Sequence, residues 1–210
     1  MSPAWGGPSA GFPEPESALF RSDWVARRYQ HEARQDGGYA GRVEASRISL
    51  RKRRSIWTPV ALAVLPVIGA ALLGQAATYP NIATWYQGLA KPSFSPPNWI
   101  FAPVWTGLYV LMAYGAWRIL RLPRDVPGRT SALTLFFIQL ALNASWSWLF
   151  FALHSPLAGL INIVPQWLLI VATIERFRRL DRIAALCLVP LAVWVAFATA
   201  LNFEIWRLNR

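Results

Sequence analysis

Four stretches of this chain contain no Lys, Arg, Asp or Glu: Ser55 to Ala90, Pro92 to Trp117, Thr130 to Ile174 and Ile183 to Phe203. They are built from Leu, Ala, Val, Ile and Trp with no alternating polar face, so the dyad pattern of β-barrel strands is missing. A helix needs about 20 such residues to cross roughly 30 Å of hydrocarbon, and the third stretch is long enough for two. The pattern predicts spans over approximately Ile56 to Ala77, Trp99 to Leu120, Ser131 to Leu153, Pro156 to Ile174 and Ile183 to Trp206. This is an all-α, multi-pass membrane protein with a five-transmembrane-helix bundle. Pro66, Pro103, Pro165 and Pro190 lie inside the spans; neighbours in a bundle re-satisfy the carbonyls they free, which predicts kinks rather than breaks.

Composition supports the bilayer. The chain has 210 residues, of which 55% are hydrophobic and only 15% charged, against about a quarter charged in soluble domains. A chain this short cannot enclose that much apolar surface in a water-facing globule. The net charge of +11 invites a nucleic-acid reading, but the basic residues sit in the N-terminal arm and at span ends, where they act on topology and lipid headgroups. No nucleic-acid partner is expected. Arg47, Arg51 to Arg54, Arg118, Arg121, Arg124, Arg129, Arg176, Arg178, Arg179 and Arg182 flank one side of the predicted bundle, and Lys91, Arg207 and Arg210 the other. In a bacterial inner membrane this bias predicts a cytoplasmic N-terminus and an external C-terminus.

Residues 1–55 form a separate region from the membrane domain of 56–210. They hold ten of the 21 Lys/Arg and six of the ten Asp/Glu, with clustered Pro and Gly, and read as a disordered, basic extension. Within it, Ser17 to Gln35 sets Phe20, Trp24 and Val25 among arginines. That stretch reads either as a surface-lying amphipathic helix or as a solvated linker. No apolar stretch precedes Ile56, so no cleavable signal is expected.

The connection from Thr78 to Asn98 is rich in aromatics and proline: Trp85-Tyr86, then Lys91-Pro92-Ser93-Phe94-Ser95-Pro96-Pro97-Asn98-Trp99. Its prolines restrict it to extended or turn conformations, and Asn98 is placed to N-cap the second span. The segment reads as a lid-like loop over the bundle, the alternative being an interfacial aromatic belt.

Intramembrane polar residues are few, which makes each informative. On the third span, Gln139, Asn143, Trp146 and Phe150 share one helical face. The second span aligns Trp105, Tyr109 and Met112, the fifth Trp194, Ala198, Leu201 and Asn202, and the fourth adds Asn162 and Gln166. A pocket of these side chains would suit a large, flat, amphipathic organic molecule. The competing reading makes the amides glue between helices. Catalytic constellations are scarce. His31, His154 and the lone Cys187 give no metal pair or triad, and no paired carboxylates lie in the membrane, so neither a metal site nor a required cofactor is expected.

The run Trp85-Tyr86, Lys91-Pro92-Ser93, Pro96-Pro97-x-Trp99, Pro103-Val104-Trp105 and Leu108-Tyr109 resembles the signature of the TspO/MBR family, the tryptophan-rich sensory and translocator proteins. Gln139-Leu-Ala-Leu-Asn143 with Trp146 and Phe150-Phe151 resembles its third helix, and Trp194-x-Ala-Phe-x-Thr-x-Leu-Asn202 with Trp206 its fifth. The resemblance runs over about residues 57–207. It implies a five-helix bundle, commonly a homodimer, with a pocket beneath the first loop that takes a porphyrin or haem-type tetrapyrrole or synthetic aromatic ligands. It implies sensing, transport or scavenging of tetrapyrroles, with a membrane scaffold and light- and oxygen-dependent porphyrin degradation as alternatives. Trp105 and Trp194 match the tryptophans that matter to degradation; Tyr86, Phe94, Asn143, Trp146 and Ala198 match further pocket positions. Phe203 stands where the family's sterol-recognition segment has Tyr, which argues against sterol binding. Ala158 replaces a Trp of animal members, which predicts a wider cavity.

Overall fold

The computed structural model describes residues 57–210; the N-terminal arm, with the region Ser17 to Gln35, lies outside the described residues. The chain forms α1 (Trp57–Ile82), a 3₁₀ turn (Tyr86–Gly88), α2 (Asn98–Leu120), α3 (Arg129–Ser147), which continues into a π-helical turn (Trp148–Ala152), α4 (Pro156–Leu180), α5 (Arg182–Leu186) and α6 (Val189–Leu208). These make five apolar spans long enough to cross a membrane, the third including the π turn and the fifth combining α5 with α6. The chain is an integral, multi-pass membrane protein.

Four boundaries differ from the sequence expectation, one of them the end of α4, which runs on to Leu180 rather than stopping near Ile174. α1 runs on to Ile82 instead of stopping near Ala77, because Pro80 removes only one backbone donor and polar side chains take up the last carbonyls. Asn81 Nδ2 donates to the Ala77 carbonyl at 2.8 Å and Thr84 Oγ1 to that of Pro80 at 3.1 Å. The irregular connection is therefore shorter than expected, 83–97, and contains a turn of its own. Asn98 does not cap α2: the extended Pro97 occupies that position, no side chain caps it, and Asn98 is the first helical residue. Around Pro190 the fifth span breaks rather than kinks. α5 ends at Leu186, Cys187 and Leu188 form a turn, and Pro190 sits in the first turn of α6, where its missing N–H costs nothing.

Other ends follow their local sequence. Gly128, at φ 83°, turns the chain left-handed after Pro127, a conformation that costs glycine little, and its carbonyl receives the Ala132 amide. Ser155 caps α4 by accepting from Ala158 N at 3.2 Å, with Pro156 next in line. Asp181 caps α5 by accepting from the amides of Ile183 and Ala184, and its other oxygen binds Arg118 at 2.8 Å.

α3 and α4 pack closely along their lengths, α4 also packs on α6, and α1 lies against α2 and α3. α5 brings the fifth span to α2 at the arginine-rich end. There the core is solid: Ala63, Ala116, Ala132, Phe136, Phe177, Ala184 and Leu191 are fully buried. A Cβ on Gly115 would stand 3.1 Å from the Ala184 carbonyl oxygen, the kind of close approach that small residues permit between membrane helices.

Candidate functional site

At the other end the spans diverge around a cavity of about 410 Å³, within the range of small-molecule sites. α1 contributes Ala71, Gly74, Gln75, Thr78, Tyr79 and Ile82, and the connection contributes Tyr86. From α2 come Asn98, Phe101, Ala102, Trp105 and Tyr109, and from the third span Asn143, Trp146, Ser147, Phe150 and Phe151. Ile163 and Gln166 of α4 join Trp194, Val195, Ala198, Leu201, Asn202 and Ile205 of α6. Every span supplies wall, and among the described residues no lining side chain is charged.

The π turn shapes this wall. Leu153 N donates to the Trp148 carbonyl at 2.9 Å, a five-residue step that widens the helix by one residue. Phe150 and Phe151, adjacent in sequence, are both buried as a result. Phe150 stacks on Trp146 with centroids 5.0 Å apart, and Trp85 meets it edge-on at 5.5 Å. The chain leaves the turn through His154, at φ 51°, whose ring stacks on Trp85 at 4.8 Å and shares a 2.8 Å hydrogen bond with Asn81 Oδ1.

Two pairs of polar groups in the wall satisfy one another. Tyr109 donates to Asn143 Oδ1 at 3.1 Å. Trp146 Nε1 donates to Asn202 Oδ1 at 3.1 Å, and Asn202 Nδ2 donates to the Pro156 carbonyl at 2.7 Å, which ties α3, α4 and α6 together. Gln166 is buried in the wall, and its Oε1 has no hydrogen-bond partner. Burial pushes the Tyr86 phenol above its ordinary pKa, with Ser95 pulling the other way, so the wall carries a neutral hydroxyl there.

Of the residues expected from sequence, Tyr86, Trp105, Tyr109, Asn143, Trp146, Phe150, Gln166, Trp194, Ala198, Leu201 and Asn202 meet at this cavity. Gln139, Phe94, Met112 and Asn162 do not. Gln139 is fully buried one turn nearer the closed end, with its Nε2 toward Met112 Sδ at 3.9 Å. Phe94 is exposed and rests edge-on against Phe197, 6.3 Å away. Ala158 does not line the cavity.

Sequence reasoning missed the α1 wall. Ala71, Gly74, Gln75, Thr78, Tyr79 and Ile82 follow the i, i+3, i+4, i+7 spacing of one helical face, and a small and polar stripe in an apolar span was the available signal. Gly74 has a packing reason as well: a Cβ there would stand 3.3 Å from Ser147 Oγ.

Among the described residues the cavity wall carries no charged group, histidine or cysteine; its readily oxidised side chains are indoles and phenols. Fold and site together define a five-span membrane protein with an uncharged, aromatic-walled cavity at one end of the bundle. The model of the TspO/MBR family matches residues 62–207, and the chain belongs to that family. It is 45% identical over 131 residues to the tryptophan-rich protein TspO of Chlorobaculum tepidum, covering 62% of this chain and 83% of that one. Protein CrtK of Rhodobacter capsulatus is 37% identical over 142 residues, covering 68% and 89%. The translocator protein of Sus scrofa is 35% identical over 159 residues, covering 73% and 92%.

Proposed function

We propose that this protein binds a porphyrin or haem-type tetrapyrrole in the cavity and acts as a tetrapyrrole sensor, transporter or scavenger, as a homodimer like those the family resemblance implies. The observation that carries this reading is the wall itself. Trp105, Tyr109, Trp146, Phe150 and Trp194 converge on one uncharged space, and a flat conjugated ring gains from such a surface by apolar burial and aromatic stacking. Membership in a family whose relatives are named sensory and translocator proteins supports the same reading. In a bacterial inner membrane, the charge bias would place the arginine end toward the cytoplasm and the cavity end outward.

A second reading has a specific observation behind it: Trp105 and Trp194 both border the cavity, where an indole can be oxidised beside an illuminated porphyrin. Light- and oxygen-dependent degradation then needs no metal or acid–base pair. Titration of the protein with protoporphyrin, followed by fluorescence quenching in dark and light, tests both. Trp105→Ala and Asn143→Ala should each weaken binding by about 1 to 3 kcal/mol. Unchanged affinity in both folded variants contradicts the binding reading. Illuminated turnover that persists in Trp105→Phe/Trp194→Phe contradicts the tryptophan route.

A further inference from the structure

At the cavity end the Lys91 ammonium is held in place with no carboxylate partner among the described residues. Lys91 Nζ donates to the carbonyls of Gln87 at 3.3 Å and Leu89 at 3.2 Å, and lies 4.6 Å from the ring centre of Tyr86, which is itself part of the cavity wall. The backbone just before it is clamped. Ala90 N donates to Asn209 Oδ1 at 3.0 Å and Asn209 Nδ2 donates to the Ala90 carbonyl at 2.9 Å, so the end of α6 fixes where Lys91 begins. Its neighbours at this end are otherwise engaged: Arg207 pairs with Glu204 at 2.8 Å and Arg210 lies over Trp206. Among the described residues no carboxylate pairs with Lys91.

An ammonium has three donors, and two of these are taken by carbonyls, which leaves one to offer. The cavity beneath carries no charge, so an ionised group on a ligand finds no counter-ion inside it and is better placed at the rim. We infer that Lys91 is the anion anchor of this site: it holds a carboxylate arm of an amphiphilic aromatic ligand at the cavity rim while the ring fills the apolar wall below. The inference rests on the tetrapyrrole reading above and deepens it, because it sets the orientation of the ligand and makes the acid group part of what is recognised. The anion is assigned to the ligand rather than to a lipid phosphate because the ammonium is positioned on Tyr86, a wall residue.

The test uses the full chain in nanodiscs of zwitterionic lipid, with protoporphyrin IX and its dimethyl ester as probes, read by tryptophan quenching. The wild type should bind the acid about tenfold or more tighter than the ester, as a charge-assisted hydrogen bond implies. Lys91→Met should bring the acid down to the ester's affinity and leave the ester unchanged, and Lys91→Arg should keep the preference. The inference is overturned if Lys91→Met retains the preference, if it weakens acid and ester equally, or if the wild type binds both alike; occupation by a lipid phosphate would also give a site blind to esterification. Failure of the wild type to bind either probe would instead overturn the tetrapyrrole reading, and the inference with it.

Discussion

The two ends of the same five spans are built on opposite plans. At the arginine end, alanines and Gly115 let the backbones approach, Phe136 and Phe177 stack at 6.0 Å in the space that remains, and Arg118 with Asp181 closes the corner where α5 meets α2. At the other end the side chains are larger and the packing is less complete. α2 reaches the fifth span there through Phe101 edge-on to Trp194 at 5.7 Å, and the third span gives up α-helical regularity in a π turn. Residue size alone does not decide whether a membrane bundle is solid. Small residues bring helices together, whereas large rings that pack edge to face hold them apart and leave room between.

The contrast can be broken in order of expected size. Phe136→Ala empties a fully buried site and should cost about 3 to 5 kcal/mol. Phe101→Ala borders space that is already open and should cost less than half of that; denaturation in mild detergent compares them, and equal losses would show the two ends to be equally solid. Asp181→Ala removes a helix cap and an ion pair, for about 1 to 2 kcal/mol. Burial raises the pKa of this carboxyl, but the Arg118 hydrogen bond and the Ala184 and Ile183 amides outweigh it and hold it below its ordinary 3.8. Its contribution is thus complete above about pH 4 and lost as the pH falls through the depressed value. Wild type and Asp181→Ala should differ in melting temperature at pH 7 and converge in strong acid; a constant difference would mean the charge is irrelevant. The smallest change is expected of Gln166→Leu, which removes an unpartnered buried amide oxygen and should leave the empty protein equally stable or about 1 kcal/mol more so. A clear loss would make Gln166 a structural bond between helices.

The five spans were legible because the bilayer demands long uncharged runs, and the wall faces of α2, α3 and α6 were legible because aromatics and amides recur at helical spacing. Depth was not. Gln139 shares its face with Asn143, Trp146 and Phe150, yet periodicity specifies direction around a helix and says nothing about position along the bundle, and Gln139 falls where the core is solid. Phe150 was placed and Phe151 was not, since two adjacent inward residues require the π turn. Phe94 could not be placed from a pattern at all, since a proline-bounded connection has no period. The end of α1 was missed because Thr78-Tyr79-Pro80-Asn81 has the composition of a turn, while the side chains of Asn81 and Thr84 extend the helix through it.

In the proposed function the hollow end, and not the lipid-facing surface, takes the ligand. Ala198 lies in the cavity wall with little side chain of its own, so Ala198→Phe puts a ring into the space a ligand would use and leaves the outer surface untouched. Protoporphyrin titration of this variant beside the wild type, with matched melting curves, is the direct measurement. Affinity should fall by about tenfold or more with the fold retained; wild-type affinity in the filled variant would place the ligand outside the cavity.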